Sequence, residues 1–379
     1  MQSAPVDQKK WELVPFSDHP QHDSMWAMVC GTDGHIYVGL CCEHTGGGIA
    51  QLYRYNVKKR KLEHCADMAQ VTGEPAAGGH AAQGKIHFSL CPTSDGLLYG
   101  TTHATTPPLD DKVWSPYGTW GDPVKSYPGG HLFRYDPRTG ETLDFGILYP
   151  HDGLPFLLLD EKRKRFYGIT YPKAHFFSAN MAGRDVTDYG RVSSWYPIGM
   201  TFDAKGNLFF GDTNAGLIKY DVQQDKLIFF QSRPYANPWN ASRRFSWLCN
   251  LTLVEDGKIY GTNYCNDHFF RFDPNEAAPQ IEDLGPGLAG PASGIVRGLV
   301  PDGKGHIYYV FFREGWSSNG EGCIFIRYTI RTGKKEALGG LRVNGIAFGS
   351  WLAVKDLDGN IYMKGGGKPL TLAIYRPNK

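Results

Sequence analysis

The sequence predicts an all-β protein, namely a seven-bladed β-propeller built from four-stranded antiparallel blades. The main observation is a phrase that occurs seven times in 379 residues, a short turn followed by a β-rich run with Tyr or Phe at its centre. A repeat of about fifty residues is typical of propellers, in which each repeat forms one blade. The seven copies occupy residues 33–37, 95–99, 164–167, 205–209, 256–260, 304–308 and 358–362.

Each copy of the phrase predicts a β-hairpin. Six copies carry Asp-Gly or Lys-Gly in the turn, and the copy at 164–167 has no glycine. Asp-Gly between two β-rich runs is a strong hairpin signal, because both residues of the favoured two-residue turn have positive φ. The runs before the turns are apolar as well, for example at 156–159 and 251–254. Two antiparallel strands are therefore expected at each copy.

A second phrase supplies the remaining strands. It places aromatic or aliphatic residues on both sides of Arg or Lys and ends in a turn, as at 132–137 and 269–274. Weaker fourth strands follow, such as residues 142–145. A β-sandwich is the alternative, but it is not expected to repeat so regularly, and no long amphipathic helix pattern competes.

The two ends of the chain are predicted to share one blade. The last unit, residues 351–376, supplies about three strands, and the segment 10–16 is left over at the start. We expect this segment to form the outer strand of the last blade, since joining the ends removes an open sheet edge. Residues 1–379 are then a single β-propeller domain.

The amino-acid composition limits the classes of partner that we expect for this protein. Lys and Arg total 40 and Asp and Glu total 38, so no strong basic field favours nucleic acid or a membrane. No transmembrane stretch and no signal peptide stand in the sequence, and we expect a monomeric, secreted or periplasmic protein in its mature form. The eight cysteines show no disulfide framework, and buried free thiols are expected. Cys249, Cys265 and His268 fall in one blade and are the candidate ligands of a divalent metal ion, calcium or zinc.

Candidate functional residues gather in blades two and three. In a propeller, the loops before the first strand and after the second strand of each blade meet at the central funnel. His80, His87 and His103 lie at such positions in blade two, and the long following loop, 104–130, carries Trp120. Arg suits a carboxylate and aromatic faces suit sugar rings. The predicted substrate-binding residues are His131, His175, Tyr149, Trp120, Arg243, Arg244, Arg297 and Arg313.

Parts of blades two and three resemble a family of seven-bladed propeller polysaccharide lyases. The resemblance rests on residues 85–87, 98–103, 129–136, 165–172 and 175–176. The family includes ulvan lyases and rhamnosyl-α-1,4-glucuronate lyases, and related propeller glycosidases hydrolyse the rhamnosyl-glucuronate linkage. The resemblance implies a seven-bladed fold, a uronic-acid-containing polysaccharide or oligosaccharide as substrate, and His87, His103 and Tyr171 as the catalytic acid and base.

The chemistry that the resemblance implies is β-elimination beside a uronic acid. The C5 proton lies next to a carboxylate, so a cation or strong donors must neutralise that group before a base removes the proton. Two alternatives remain open. One is a glycoside hydrolase that releases rhamnose at the same linkage; such enzymes usually use two carboxylates, and Asp110, Asp111 and Asp152 are the nearest acids. The other is a non-catalytic glycan-binding propeller.

Overall fold

The computed structural model describes residues 4–42, 48–75, 80–104, 122, 126–194, 196–235, 247–263, 267–288, 294–313 and 322–379. Within these residues the structure is almost entirely β, with seven antiparallel sheets that form the blades and a separate two-stranded ribbon. This confirms the predicted fold class, a seven-bladed β-propeller with four-stranded blades. The chain also divides into two compact units. The first unit comprises residues 14–192 and 368–371, and the second comprises 1–13, 193–367 and 372–379. That residues 1–379 act as one domain stays a prediction.

The chain begins with a 3-10 turn, Gln8–Lys10, and strand β1, Trp11–Pro15. Blades 1 to 3 follow in the first unit. Blade 1 consists of β2 (Ser24–Cys30), β3 (Ile36–Cys41), β4 (Gln51–Asn56) and β5 (Lys61–Asp67), and helix α1 (Met68–Thr72) follows it. Blade 2 consists of β6 (Lys85–Ile86), β7 (Cys91–Pro92), β8 (Leu98–His103), β9 (Gly129–Tyr135) and β10 (Thr142–Pro150). Blade 3 consists of β11 (Gly153–Asp160), β12 (Arg165–Tyr171), β13 (His175–Asn180) and β14 (Thr187–Arg191).

The second unit contains the remaining strands. Blade 4 consists of β15 (Met200–Phe202), β16 (Leu208–Gly211), β17 (Leu217–Asp221) and β18 (Lys226–Phe229). Blade 5 consists of β19 (Leu248–Leu253), β20 (Ile259–Asn263), β21 (His268–Phe272) and β22 (Glu282–Pro286). Blade 6 consists of β23 (Gly294–Pro301), β24 (His306–Arg313), β25 (Cys323–Thr329) and β26 (Lys334–Gly340). A two-stranded ribbon, β27 (Arg342–Val343) and β28 (Ile346–Ala347), leads to β29 (Ala353–Lys355), β30 (Ile361–Lys364) and β31 (Thr371–Tyr375) of blade 7.

Strand β1 is the outer strand of blade 7, as the sequence predicts. It pairs with β31 in the order β1-β31-β30-β29. The Trp11 side chain is buried and packs on Phe325 and Tyr375, with ring centroids 5.3 and 5.2 Å away. Large aromatic side chains bury much apolar area and so contribute strongly to packing. Glu12 adds an ion pair to Arg376 at 3.1 Å.

The hairpin turns differ in detail from the expected type. Gly34 and Gly257 have φ of 77° and 78°, but Asp33 and Asp256 before them do not have positive φ. The glycine alone takes the left-handed conformation, since the Asp side chain instead accepts a hydrogen bond from the backbone N–H two residues later. In the glycine-free copy, Lys164 takes this conformation with φ of 52°.

The repeated aromatic residue has a second function in the hairpins. The Tyr37 hydroxyl donates to Asp33 at 2.7 Å, and the Tyr260 hydroxyl donates to Asp256 at 2.8 Å. Each Tyr ring fills the core while its hydroxyl holds the turn carboxylate. The repeated phrase therefore encodes both a turn and the anchor of that turn.

Burial of the thiols also follows the prediction. Seven of the eight cysteines lie in the described residues and are free thiols, five of them buried. Burial raises the pKa of Cys91 to about 12. In the described part of the chain, no helix is both long and apolar enough to cross a membrane.

Candidate functional site

The predicted catalytic residues His87, His103 and Tyr171 lie together in the first unit. The His103 ring centroid is 5.0 Å from that of Tyr171 and 5.4 Å from that of His87. All three side chains are buried, with exposed fractions of 3% for His87, 2% for His103 and 8% for Tyr171. These residues come from three separate segments of the chain, which span more than eighty sequence positions, and form one cluster.

His87 lies in an interruption of the innermost strand of blade 2. Strands β6 and β7 both pair with β8, and four residues between them leave the ladder. Ser89 replaces the missing ladder bonds, because its hydroxyl donates to the Thr101 carbonyl and accepts from the Thr101 N–H. A local break of this kind re-aims a side chain, and here the residue that it displaces is His87.

Two contacts fix the His87 ring. Its plane stacks on Trp26 of β2, with centroids 5.0 Å apart and planes 11° from parallel. Its Nδ1 lies 3.2 Å from the Pro155 carbonyl oxygen. Since a carbonyl only accepts, Nδ1 carries the proton in the neutral ring and Nε2 keeps its lone pair. His87 is thereby held in the tautomer that a general base requires.

His103 ends strand β8 and packs against the backbone of blade 3. Gly153 begins β11, and a Cβ atom at that position would stand only 2.1 Å from His103 Nδ1. Gly153 pairs in register with Tyr171 of β12, so the same two strands position both neighbours of His103. His103 Nδ1 is buried and has no hydrogen-bond partner among the residues that the structure describes. The close approach of ring and backbone requires glycine at position 153.

Both imidazoles in the cluster are neutral near pH 7. Burial is the main cause that holds the pKa of His87 well below its usual 6.5, and the charges of His103 and Lys85 add to it. Burial likewise holds the pKa of His103 well below 6.5, and Lys85 adds to it. A buried neutral imidazole next to a phenol can take up or pass on a proton, which is the requirement for general acid–base chemistry.

A buried carboxylate lies beside the cluster, on the residue before Gly153. Asp152 is fully buried, and among the described residues no hydrogen bond of good geometry reaches either carboxylate oxygen. The half-exposed Lys173 ammonium lies 2.9 Å from Oδ1 and forms an ion pair with it. Lys173 lies two residues after Tyr171 and thus ties the Tyr171 turn to the start of blade 3.

His131, predicted to bind substrate, is held by two carboxylates. Its Nδ1 donates to Asp144 at 3.0 Å and its Nε2 donates to Glu74 at 3.1 Å. Burial opposes its charge, but these hydrogen bonds and charges outweigh burial and raise the pKa of His131 to about 9. Gln83 extends the network by donating to Glu74 at 2.7 Å and accepting from Tyr127. With both nitrogens occupied, His131 has the environment of a structural cation.

His175 and Tyr149 share a carboxylate in blade 3. Tyr149 donates to Asp188 at 2.5 Å, and His175 Nδ1 lies 2.8 Å from the same oxygen. Burial and the Asp188 charge raise the pKa of Tyr149. The group is partly exposed, at the outer strands β13 and β14. Its three members bind one another, and their predicted role in substrate binding stays a prediction.

A repeated His–Asp–Gly arrangement accounts for several histidines. A His at or near the start of the third strand of a blade contacts an Asp on the fourth strand, and that Asp accepts the N–H of a glycine two residues later. In blades 2, 3 and 5 the residues are His131, Asp144 and Gly146; His175, Asp188 and Gly190; and His268, Asp283 and Gly285. All three glycines have positive φ, and each site coincides with a register shift. The spaced signals His-Leu/Phe-Phe and Asp-x-Gly mark it in the sequence.

The other predicted residues lie outside the described residues or in the second unit. Trp120, Arg243, Arg244 and Cys265 lie outside the described residues. Arg297 and Arg313 belong to the second unit, where buried Arg297 lies 4.3 Å from the Trp351 ring centroid. Cys249 is buried in β19, whereas His268 contacts Asp283. No group of three or more His, Cys, Asp or Glu among the described residues is arranged to hold a metal ion. The divalent metal site stays a prediction.

Comparison with solved structures supports the fold. A streptogramin B lyase has a TM-score of 0.64 with 11% identity, covering 96% of both chains. A catalytically inactive His-to-Ala variant of virginiamycin B lyase from Staphylococcus aureus, solved with quinupristin, has a TM-score of 0.62 with 10% identity, covering 96% of this chain and 98% of that one. The WD40 repeats of RRP9 have a TM-score of 0.62 with 8% identity, covering 99% of both. At these identities the likeness shows the fold alone.

Sequence comparison identifies no relatives. No protein-family model matches the chain, and no curated protein sequence matches it. The fold hosts both lyases and WD40 proteins among these similar structures, so function has to be inferred from the site.

Proposed function

We propose that the chain is a polysaccharide lyase that cleaves a rhamnose-α-1,4-glucuronate linkage by β-elimination. The observation that carries the proposal is the contact among His87, His103 and Tyr171, with ring centroids 5.4 and 5.0 Å apart. These residues are distant in the sequence, and the resemblance to propeller lyases names the same three. Two neutral imidazoles and a phenol are the types of group that this elimination needs.

His87 is the proposed base. Its Nδ1 is oriented by the Pro155 carbonyl, which leaves Nε2 as the acceptor of the C5 proton. The electron pair of the broken C5–H bond forms the C4=C5 double bond, and the bond from C4 to O4 breaks. Low pKa keeps His87 in its acceptor form at neutral pH, although it also limits its basic strength.

Tyr171 is the proposed acid, which protonates the departing O4. A phenol carries its proton at neutral pH and can donate it directly. His103 lies between the base and the acid, in contact with both rings. We assign His103 to positioning the substrate and the two reacting groups, and its close packing on Gly153 gives it a defined orientation.

The expected substrate is a uronic-acid-containing polysaccharide or oligosaccharide. A monomeric, secreted or periplasmic enzyme suits a substrate of this kind. The three side chains are buried in the absence of ligand, so entry of a sugar has to displace whatever covers them. The S. aureus virginiamycin B lyase, whose His-to-Ala variant is inactive, supports histidine-dependent lyase chemistry as one use of this fold.

Hydrolysis of the same linkage is the second candidate. Asp152 is a buried carboxylate next to the residue that packs on His103, and hydrolases use acids. Its ion pair with Lys173 ties it to a cation instead of leaving it to protonate a leaving group. Asp152 has no second carboxylate with it in the described cluster, so the elimination is favoured.

The test uses a gum-arabic-type glycan with terminal rhamnosyl-glucuronate. A lyase produces an unsaturated uronate, which is followed by its ultraviolet absorbance, whereas a hydrolase releases free rhamnose without that absorbance. Quinupristin serves as a second substrate, because a similar structure contains it. The expected result is a rise in absorbance on the glycan and none on quinupristin.

Variants connect the activity to the cluster. His87→Ala and Tyr171→Phe are expected to lower kcat by about 100-fold or more, the usual range for loss of a general base or acid. His306→Ala is the matched control, since His306 contacts Asp302 in blade 6 and has no part in the proposed reaction. Full activity in His87→Ala would overturn the assignment. Rhamnose release without absorbance would identify the hydrolase, and binding without either product would identify a glycan-binding propeller.

A further inference from the structure

Elimination beside a uronate requires a cation at the substrate carboxylate. Removal of the C5 proton places further charge on an anionic group, so its neutralisation lowers the barrier. Arg243 and Arg244 lie outside the described residues, and Arg297 and Arg313 belong to the second unit. In the first unit, Lys85 is a cation that lies next to the histidines.

Lys85 lies in the cluster by strand geometry. It is in β6 and pairs in register with His103 of β8. Ile86, the next residue, points into the hydrophobic core of blade 1 and blade 2. Residues that pair in register on antiparallel strands lie on the same face, so Lys85 shares a face with His103, opposite to Ile86. Lys85 is almost fully buried, with an exposed fraction of 4%.

Trp26 contacts both Lys85 and His87. The Lys85 ammonium lies 5.1 Å from the Trp26 ring centroid, and the same ring stacks on His87. The Lys85 charge also contributes to the lowered pKa of both His87 and His103, which requires that it is near both rings. The Lys85 ammonium thus lies beside two neutral imidazoles, and a cation complements a carboxylate.

We propose that Lys85 binds the carboxylate of the substrate uronate and neutralises it during elimination. The inference rests on the proposed function and adds the residue that recognises the anionic group. As the C5 proton passes to His87, charge grows on the carboxylate, and Lys85 stabilises this enolate-like state. The electron pair of the C5–H bond becomes the C4=C5 bond, and O4 leaves with a proton from Tyr171, so no water or other reactant is consumed.

A structural role is the competing explanation for Lys85. The Lys85 ammonium over the Trp26 ring stabilises the folded cluster through its cation–π contact. In that case its loss would weaken the cluster for every substrate alike. Neutralisation, by contrast, matters only when the substrate carboxylate is charged.

The experiment compares two substrates that differ only in charge. Rhamnosyl-glucuronate oligosaccharide is used as the free acid and as its methyl ester, which needs no counter-charge. Lys85→Met is expected to lower kcat/KM on the free acid by about 100-fold, the loss typical of one stabilising donor. On the methyl ester the variant should lose about threefold or less, because only packing has changed. Lys85→Arg should recover part of the activity on the free acid.

Lys219→Met is the matched control. Lys219 is a mostly buried lysine of the second unit that is paired with Asp221 at 2.9 Å. Its loss should leave the ratio of kcat/KM between the free acid and the methyl ester unchanged. Thermal unfolding of every variant reports whether the fold persists. An equal loss of kcat/KM on acid and ester in a folded Lys85→Met variant would overturn the neutralising role. So would a folded Lys85→Arg variant that recovers no activity on the free acid.

Binding separates this inference from the proposed function. If the wild type cleaves neither substrate, the lyase proposal fails, and calorimetric binding of the free-acid oligosaccharide becomes the readout. Binding that Lys85→Met abolishes and that the methyl ester does not share would still assign the carboxylate site to Lys85. Equal binding by the wild type and Lys85→Met, or no binding at all, would overturn it.

Discussion

Gly153 lies so close to the His103 imidazole that a Cβ atom at its position would stand 2.1 Å from Nδ1. The glycine begins β11 and pairs with Tyr171, so it links two members of the cluster through one backbone segment. The absence of a side chain at this position lets the buried His103 ring pack directly against the backbone of blade 3. The backbone at Gly153 does not have a positive φ, so its conformation alone would allow other residues. The close approach of His103 is what requires glycine here.

Gly153→Ala is expected to displace His103 and to lower kcat. Overpacking costs about 1–3 kcal/mol of unfolding free energy. A misplacement of about 1 Å in a catalytic cluster can lower the rate by about 100-fold. Denaturant unfolding and turnover of the glycan measure the two effects. Gly211→Ala, where a Cβ would stand 2.7 Å from Leu248 Cγ, is the control that should lose stability but keep kcat per folded molecule.

Activity should persist through pH 6.5 and fall only in more acidic solution. His87 and His103 have folded pKa values well below 6.5, so the proposed base is neutral at pH 7 and becomes protonated only in acid. We expect kcat/KM to be flat from pH 7 to below pH 6.5 and to decrease only as the pH approaches the folded pKa of His87. Lys85→Met removes a positive charge that lowers both pKa values, so its acid limb should lie at higher pH. A limb that does not move would argue against a close Lys85 charge.

The same two histidines make the fold sensitive to acid. Their folded pKa values lie below the unfolded value of 6.5, so the unfolded chain binds more protons as the pH falls. Their contribution to stability is present above pH 6.5 and is lost as the pH falls toward the folded values. Chemical denaturation at pH 7 and pH 5 tests this. His87→Asn/His103→Asn should lose less stability than the wild type over that interval.

His131 should have the opposite pH dependence. Its folded pKa of about 9 exceeds the unfolded 6.5, so its stabilisation is complete below pH 6.5 and is lost as the pH rises through 9. Asp144→Asn removes one carboxylate that raises this pKa. The variant should be less stable at pH 7 by about 1–3 kcal/mol, with a weaker decline between pH 7 and 9. An unchanged decline would show that Glu74, not Asp144, sets the pKa.

Lys173→Met should lower the unfolding free energy, because it leaves the buried Asp152 carboxylate without its counter-ion. The ion pair is half exposed on the lysine side, so its loss should destabilise by about 1–3 kcal/mol, less than a fully buried pair. Asp152→Asn/Lys173→Met should recover part of that loss in a double-mutant cycle. Lys162→Met, an exposed lysine on the preceding hairpin turn, should change stability little. Additive effects would mean that the two charges do not interact.

Local patterns in the sequence predicted the blades because each hairpin contains its own turn. Asp33, Gly34 and Tyr37 are close in sequence and meet within one hairpin, so their spacing alone indicates the structure. The detail of the turn could not be predicted. The Asp side chain satisfies a backbone N–H, and this selects a longer turn in which glycine alone has positive φ.

The histidines show where sequence reasoning reaches its limit. Concentration of histidines in blades 2 and 3 pointed to function for all of them. In the structure His131 and His175 contact Asp side chains in an arrangement that blade 5 repeats with His268, and their role in substrate binding stays a prediction. Without the pairing of third and fourth strands, a histidine held by an Asp and a histidine packed on aromatic rings have the same signature in the sequence. Their Asp-x-Gly partners in the sequence are the signal that separates them.

The sequence by itself determined the repeat, the number of blades and the strand that completes the last one, because those depend on turn chemistry and alternation over a few residues. Only the tertiary structure decided which polar residues meet. Lys85 stands in the same short motif as His87, yet its place beside the base follows from its register with His103 and from Trp26 of another blade. Burial then sets the protonation states of the cluster, and burial is a property of packing that no local pattern contains.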